Sequence, residues 1–159
     1  MKRSFCAFNV SRESFINLGV AVADTPLTRL RGLLGKMRLR SNEALWVVPS
    51  QGIHTIGLMF PIDVIYLDAR LRVIGTLESL GPLRFTPIWW HCASVLELPA
   101  RSVYGSGTQI GDQLLICSPE EMELYWTSQR REKEQNKGQE EQPEEQQVDS
   151  LPQALRRAV

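Results

Sequence analysis

His54 and His91 are the only histidines in the chain. Imidazole titrates near neutrality, so each is a candidate base, acid or metal ligand. His54 stands in GIHTIGLMFPIDVIYLD (residues 52–68), an apolar run that also carries Asp63 and Asp68. In an extended PIDVIYLD, Asp63 shares a face with Ile65 and Leu67, and Ile62, Val64 and Tyr66 point the other way. Covering both faces would bury the carboxylate, which must then be paired or hydrogen-bonded. We read Asp63 first as a carboxylate that ties down backbone N–H groups. The competing role is a general base with a raised pKa. His54 reads similarly, as a satisfied core residue on an apolar strand, with a ligand or base as the functional alternative. Thr55 points to the opposite face and does not cooperate with it.

His91 and Cys92 follow Trp89 and Trp90 in a loop that also holds Pro82 and Pro87. Loops carry function more often than cores do. By ligand type, His54, His91, Cys92 and a carboxylate could hold zinc. No pair among them has zinc-like spacing, so no metal and no cofactor is expected. A Cys92 nucleophile with His54 as its base is a weaker reading still. Glu97 in VLELP lies opposite Leu96 and Leu98, which predicts an exposed carboxylate. Pointing instead into a barrel mouth, it would face Asp63 or His54. Trp46 reads as core. Trp89 and Trp90 cannot both be buried easily in one loop, so one is expected as an exposed contact residue. Gly111–Asp112 reads as a turn, with Asp112 bonded to local backbone.

Arg29, Arg31, Lys36, Arg38 and Arg40 form a basic stretch with no acid between Thr25 and Asn42. Such a cluster favours an anionic partner, and Arg29, Arg31 and Arg38 are the candidate contacts. A solvated helix face is the plainer reading. The whole chain carries 18 basic and 18 acidic residues, which argues against a general nucleic-acid binder.

The elements that must position these residues follow from pattern. FCAFNV (5–10) and FINLGVAVA (15–23) flank the polar break SRES and predict a β-hairpin. Asp24 or Thr25 can cap a helix, with Pro26 in its first turn. Leu27, Leu30, Leu33 and Leu34 then share one face, predicting an amphipathic helix over 26–34 that closes onto the sheet. ALWVVP (44–49), IDVIYLD (62–68), LRVIGTLES (71–79), ASVLELP (93–99) and QLLIC (113–117) read as strands, with the Asp68 turn closing a hairpin. SVYGSGTQIGD is a glycine-rich connection. Ser118, Pro119 and Glu121 form a helix start of the capping-box kind.

About 43% of the 159 residues are hydrophobic, enough for one core. From Thr127 onward no aromatic residue or Ile remains, so residues 127–159 read as a charged, Glu/Gln-rich disordered tail. Three cysteines without a CxxC pair fit a reducing compartment. The apolar run after Lys2 and Arg3 is too short for a signal peptide, and no apolar stretch is long enough to span a membrane. A cytoplasmic protein is expected.

RLRGLLG (29–35), IHTIGLMFPIDVIYLD (53–68), VLELPA (95–100) and IGD (110–112) occur in order and with fitting spacing. On these motifs residues 18–117 resemble the DUF192 (UPF0127) family. The resemblance implies a compact domain rich in β structure and no established activity. Many relatives have Trp-Met-Lys-Asn-Thr where this chain has His-Thr-Ile-Gly-Leu, and a glycine where it has Arg101. The expected fold is mainly β (α+β): a small barrel or rolled antiparallel sheet of about eight strands in residues 1–126. One short helix should follow the first hairpin and another the last strand. The expected function is a non-catalytic binding or accessory module for an unidentified protein or small molecule. The candidate pocket is His54, Asp63, Trp89, Trp90, His91 and Glu97. The alternative is a small hydrolase-like or metal-dependent enzyme using His54 and Asp63.

Overall fold

Residues 4–140 are described by a computed structural model, with side chains described for residues 4–135. Seven strands pair into one curled sheet, open like a half-barrel. In chain order they are β1 (Phe5–Asn9), β2 (Ser14–Ala23), β3 (Ala44–Val47), β4 (Ile62–Leu67), β5 (Val73–Leu80), β6 (Ser94–Pro99) and β7 (Leu114–Cys117). Across the sheet the order is β5-β4-β6-β3-β2-β1-β7. The hairpins β1–β2 and β4–β5 form where the sequence predicts them.

Two details depart from expectation. Strands β2 and β3 run parallel, because residues 24–43 cross over the sheet instead of turning back. The segment 51–60 adds no strand: it contributes one isolated bridge, His54 to Phe85.

The crossover carries the first helix, α1 (Pro26–Arg31). The Thr25 hydroxyl accepts from the Thr28 N–H at 3.2 Å, and the Thr28 hydroxyl accepts from the Thr25 N–H at 3.0 Å. The helix stops short of Leu34 because Gly32 takes φ 45°, outside the helical region. None of its side chains is buried: Leu27 is 75% and Leu30 66% exposed. Only Leu33, beyond the helix, reaches the core. The predicted leucine face is therefore not the seam between helix and sheet.

A second helix, α2 (Ser102–Ser106), forms within the stretch read as a glycine-rich connection. The third, α3 (Pro119–Glu140), starts at the expected capping box, with Glu121 accepting from the Ser118 N–H at 2.8 Å and Ser118 from the Glu121 N–H at 3.2 Å. Met1–Met122 form one compact unit and Glu123–Val159 a second. Of the segment expected as a tail, residues 127–140 are helical and 141–159 lie outside the described residues.

Every residue of β4 is buried, because both faces of the sheet are covered. Ile65 and Leu67 pack with Leu96, Leu98, Val103 and Ile116 on one face. Ile62, Val64 and Tyr66 pack with Leu45, Val47, Cys92 and Val95 on the other. Asp63 lies on the first face, fully buried. Opposite it β5 carries an extra residue: the ladder pairs Ile62 with Leu80 but Val64 with Leu77. The Asp63 carboxylate accepts from the Ser79 N–H in that bulge and from the Val103 N–H at the start of α2, both at 2.9 Å. One side chain thus fastens the bulge and seeds α2. Asp63→Ala leaves two backbone donors unmet and should cost about 1–3 kcal/mol for each. An unchanged urea midpoint for this variant would show that neither bond matters to the fold.

Candidate functional site

The chemistry collects on the second face, in a cleft of about 360 Å³. Its floor holds Val47 of β3 and Glu97 of β6. The α1 wall contributes Arg29, Leu30 and Arg31, continuing to Leu34. The opposite wall is the segment from Pro49 to Leu58.

That second wall is held by Thr55. Its hydroxyl donates to the Gly81 carbonyl at 2.8 Å and accepts from the Arg84 N–H at 2.9 Å. Its backbone N–H donates to the Arg84 carbonyl, and its carbonyl accepts from the Leu83 N–H. Thr55 is fully buried, so its neighbour His54 is turned outward onto the cleft. The expected alternation of His54 and Thr55 is present with the faces assigned the other way: His54 is exposed and is not a core residue. Its ring sits 6.1 Å from that of Phe85, centroid to centroid.

Glu97 corrects the prediction of an exposed carboxylate: it is 6% exposed. Leu96 and Leu98 fill the first face, as expected, but the second face of β6 is also covered. Glu97 pairs in register with Leu45 on one side and Val64 on the other. Its carboxyl has no hydrogen bond or ion pair to any described residue. Burial without such partners pushes its pKa from 4.5 to about 7.

Tyr66 lies diagonally across the ladder from Glu97, on the same face. Burial raises its pKa; the nearby Thr86 hydroxyl opposes the rise and the Glu97 charge adds to it. The Tyr66 hydroxyl is buried and makes no hydrogen bond of good geometry. Its ring stacks on Trp89 at 5.2 Å and 13°. Gly75, the ladder partner of Tyr66, makes room for that indole: a Cβ there would lie 2.7 Å from the Trp89 ring.

The structure divides the remaining candidates. Arg29 is half-buried on the cleft wall; one Nη donates to the Asp24 and Val48 carbonyls at 3.2 and 3.4 Å. Arg31 lines this cleft and also a second one, of about 620 Å³, between the turn after α1 and residues of β2 and β3. Arg38 is exposed and lines neither. Asp63 lies on the opposite face of the sheet, so it does not meet His54 in the cleft. Trp90 is 80% exposed, the exposed aromatic expected of the loop, while Trp89 is partly covered. His91 is exposed, but Cys92 beside it is buried, with its thiol donating to the Ser94 carbonyl at 3.1 Å. Burial pushes that thiol up, away from the nucleophilic thiolate. No group of three possible metal ligands occurs among the described residues.

Residues 8–116 match the model of DUF192, a family described as "Uncharacterized ACR". The chain belongs to the DUF192 family. Two solved structures share the fold of this DUF192 protein. One is a protein of unknown function from Novosphingobium aromaticivorans, 18% identical, TM-score 0.61, covering 70% of this chain and 83% of that one. The other is from Sinorhizobium meliloti, described provisionally as a transcription regulator: 20% identical, TM-score 0.60, covering 70% and 91%. At such identities the likeness is one of fold alone. No curated protein matches the chain. Among the described residues no helix is long and apolar enough to cross a membrane.

Glu97 should make stability pH-dependent in a direction unusual for a carboxylate. Its folded pKa lies above its unfolded one, so the folded state binds the extra proton between pH 4.5 and about 7. Stability therefore falls as pH rises through that window and stays lower above it, by on the order of 3 kcal/mol. Glu97→Gln should match the parent near the acid end and exceed it at alkaline pH in urea unfolding. Parallel pH profiles for the two proteins would contradict the burial of this carboxyl.

Proposed function

We propose that this DUF192 protein is a non-catalytic ligand-binding module, with the Glu97 cleft as its site. The observation that supports this reading is a buried carboxyl, without a hydrogen-bond or ion-pair partner among the described residues, on the floor of an open, largely apolar cleft. A buried charge without a partner destabilises a fold, and replacing such groups by apolar ones is often stabilising. A ligand that supplies a hydrogen-bond donor or a cation removes that cost on binding. Arg29, Arg31, Ser50 and His54 are the polar wall residues; the rest of the lining is mainly leucine, isoleucine, valine, proline and glycine. A few polar groups set among apolar walls is the usual make-up of a small-molecule site.

Nothing in the geometry favours the hydrolase-like alternative. Both oxygens of Asp63 are engaged by backbone donors, and a base must reach its target directly or through one water. We further infer that residues 127–159 lie outside the ligand-binding domain.

Hexylamine, a cation on an apolar chain, should raise the melting temperature of the full chain near about pH 8 and leave Glu97→Gln unchanged. Its affinity should rise with pH through about 7 as Glu97 ionises. Equal stabilisation of parent and variant would remove Glu97 from the site. Deleting residues 128–159 should leave the urea midpoint of the domain unmoved; a truncated chain that does not fold would overturn the domain boundary.

A further inference from the structure

Large apolar side chains stand exposed on the two walls of the cleft and on the segment bonded behind one of them. Leu30 belongs to α1, Met59 follows the opposite wall, and Leu83, Phe85, Ile88 and Trp90 come from the segment behind it. Their exposure runs from 63% at Ile88 to 80% at Trp90. Single exposed apolar residues are ordinary on a protein surface, whereas a concentration of them marks a contact surface. The three segments adjoin. Leu34, just past α1, lies against Gly57, where a Cβ would run into it. Residues 51–55 are joined to 84–89 by backbone bonds. The Thr55 N–H donates to the Arg84 carbonyl at 2.8 Å, the Thr86 N–H to that of Ile53 at 3.0 Å, and the Trp89 N–H to that of Gln51 at 2.9 Å.

These segments carry cations and no acid. Arg29, Arg31, Lys36, Arg38 and Arg40 stand between Asp24 and Glu43. Between Glu43 and Asp63 the one titratable residue is His54, and between Glu78 and Glu97 there are Arg84, His91 and Cys92. Lys36 is paired with Glu43 at 2.9 Å. Arg31, Arg38 and Arg84 are exposed and have no ion-pair partner among the described residues. The chain as a whole is balanced, with 18 cations and 18 acids. The excess of positive charge is therefore a property of this region and not of the composition.

Three occupants would cover such a surface. A second copy turned onto the same face would set Arg31 and Arg84 against their own duplicates, and like charges brought together oppose association. A folded partner must offer a fitted hollow for each protruding side chain and an acid for each arginine. An anionic bilayer needs no fitted shape. Leucine, isoleucine, methionine and phenylalanine enter the boundary between headgroups and acyl chains one at a time. Tryptophan favours that boundary, and arginine reaches from it to the phosphates.

We propose that this region docks the protein on the surface of an anionic bilayer, with Leu30, Met59, Phe85, Ile88 and Trp90 entering the interface and Arg31 and Arg84 pairing with lipid phosphates. The docking is peripheral, and it does not depend on the reading of the Glu97 carboxyl as a ligand site.

The test is sedimentation of the full chain at low ionic strength with vesicles of phosphatidylcholine, alone or mixed equally with phosphatidylglycerol. The mixed vesicles should carry the protein down and the neutral ones should not. Each arginine near an anionic surface adds about fivefold to binding, so Arg31→Gln together with Arg84→Gln should weaken it by about 25-fold. Phe85→Ser together with Ile88→Ser should weaken it by about tenfold or more. Tryptophan emission should shift to the blue on binding, and Trp90→Phe should lose most of that shift. The substituted side chains are exposed, so each variant should keep the parent's urea midpoint. Absence of binding to the mixed vesicles would overturn the proposal and leave an acidic protein face as the occupant. Equal binding to neutral and mixed vesicles would overturn it by removing the role of charge. Binding that neither pair of substitutions weakens would overturn it by moving the contact to another face.

Discussion

Two neighbouring interior strands, β4 and β6, are covered on both faces, and that constraint governs every polar group they carry. Burial there strips a carboxylate of most of its hydration, so the protein must supply donors or bear the cost of leaving it without them. The strands hold two such groups, and they meet opposite fates. Asp63, on one face, is gripped by two backbone N–H groups and makes a bulge and a helix start from them. Glu97, on the other face, has no such grip and opens into a cleft. Two carboxylates in neighbouring strands thus separate into a scaffold residue and a residue left available.

Much of this fold is legible in the sequence, because the strand signals are strong. The alternation in IDVIYLD assigns Asp63, Ile65 and Leu67 to one face, and the structure places them there. Ser118, Pro119 and Glu121 mark the start of α3 by local chemistry alone. What is not legible depends on neighbours remote in sequence. Alternation says that Glu97 lies opposite Leu96 and Leu98, but not that β3 and β4 flank it and that a second layer covers it. His54 and Thr55 show the same limit. Alternation separates them, while the partners of Thr55, from Gly81 to Arg84, decide which of the two turns inward. The leucine spacing after Pro26 suggests a helix face against the core, yet Gly32 ends the helix before that face is complete.

The second face also contains a stack that no short-range pattern announces. Trp89 comes from a loop, Tyr66 from β4 and Gly75 from β5, and the indole fits only because Gly75 has no Cβ. A lone glycine within a strand often marks such a close approach. Here it identifies which of two adjacent tryptophans is covered, and so leaves Trp90 as the exposed one.

The helix α1 forms a wall of the cleft without burying any of its own side chains. The sheet beneath it therefore gains little packing from those residues, whose contribution is local: the Thr25–Thr28 capping box and the Arg29 bonds to the Asp24 and Val48 carbonyls. The strands hold the fold, and the exposed Leu27, Leu30 and Arg31 of α1 are open to drift. The surface of that cleft can on that account change by substitution in a single short segment, without rebuilding the core beneath it.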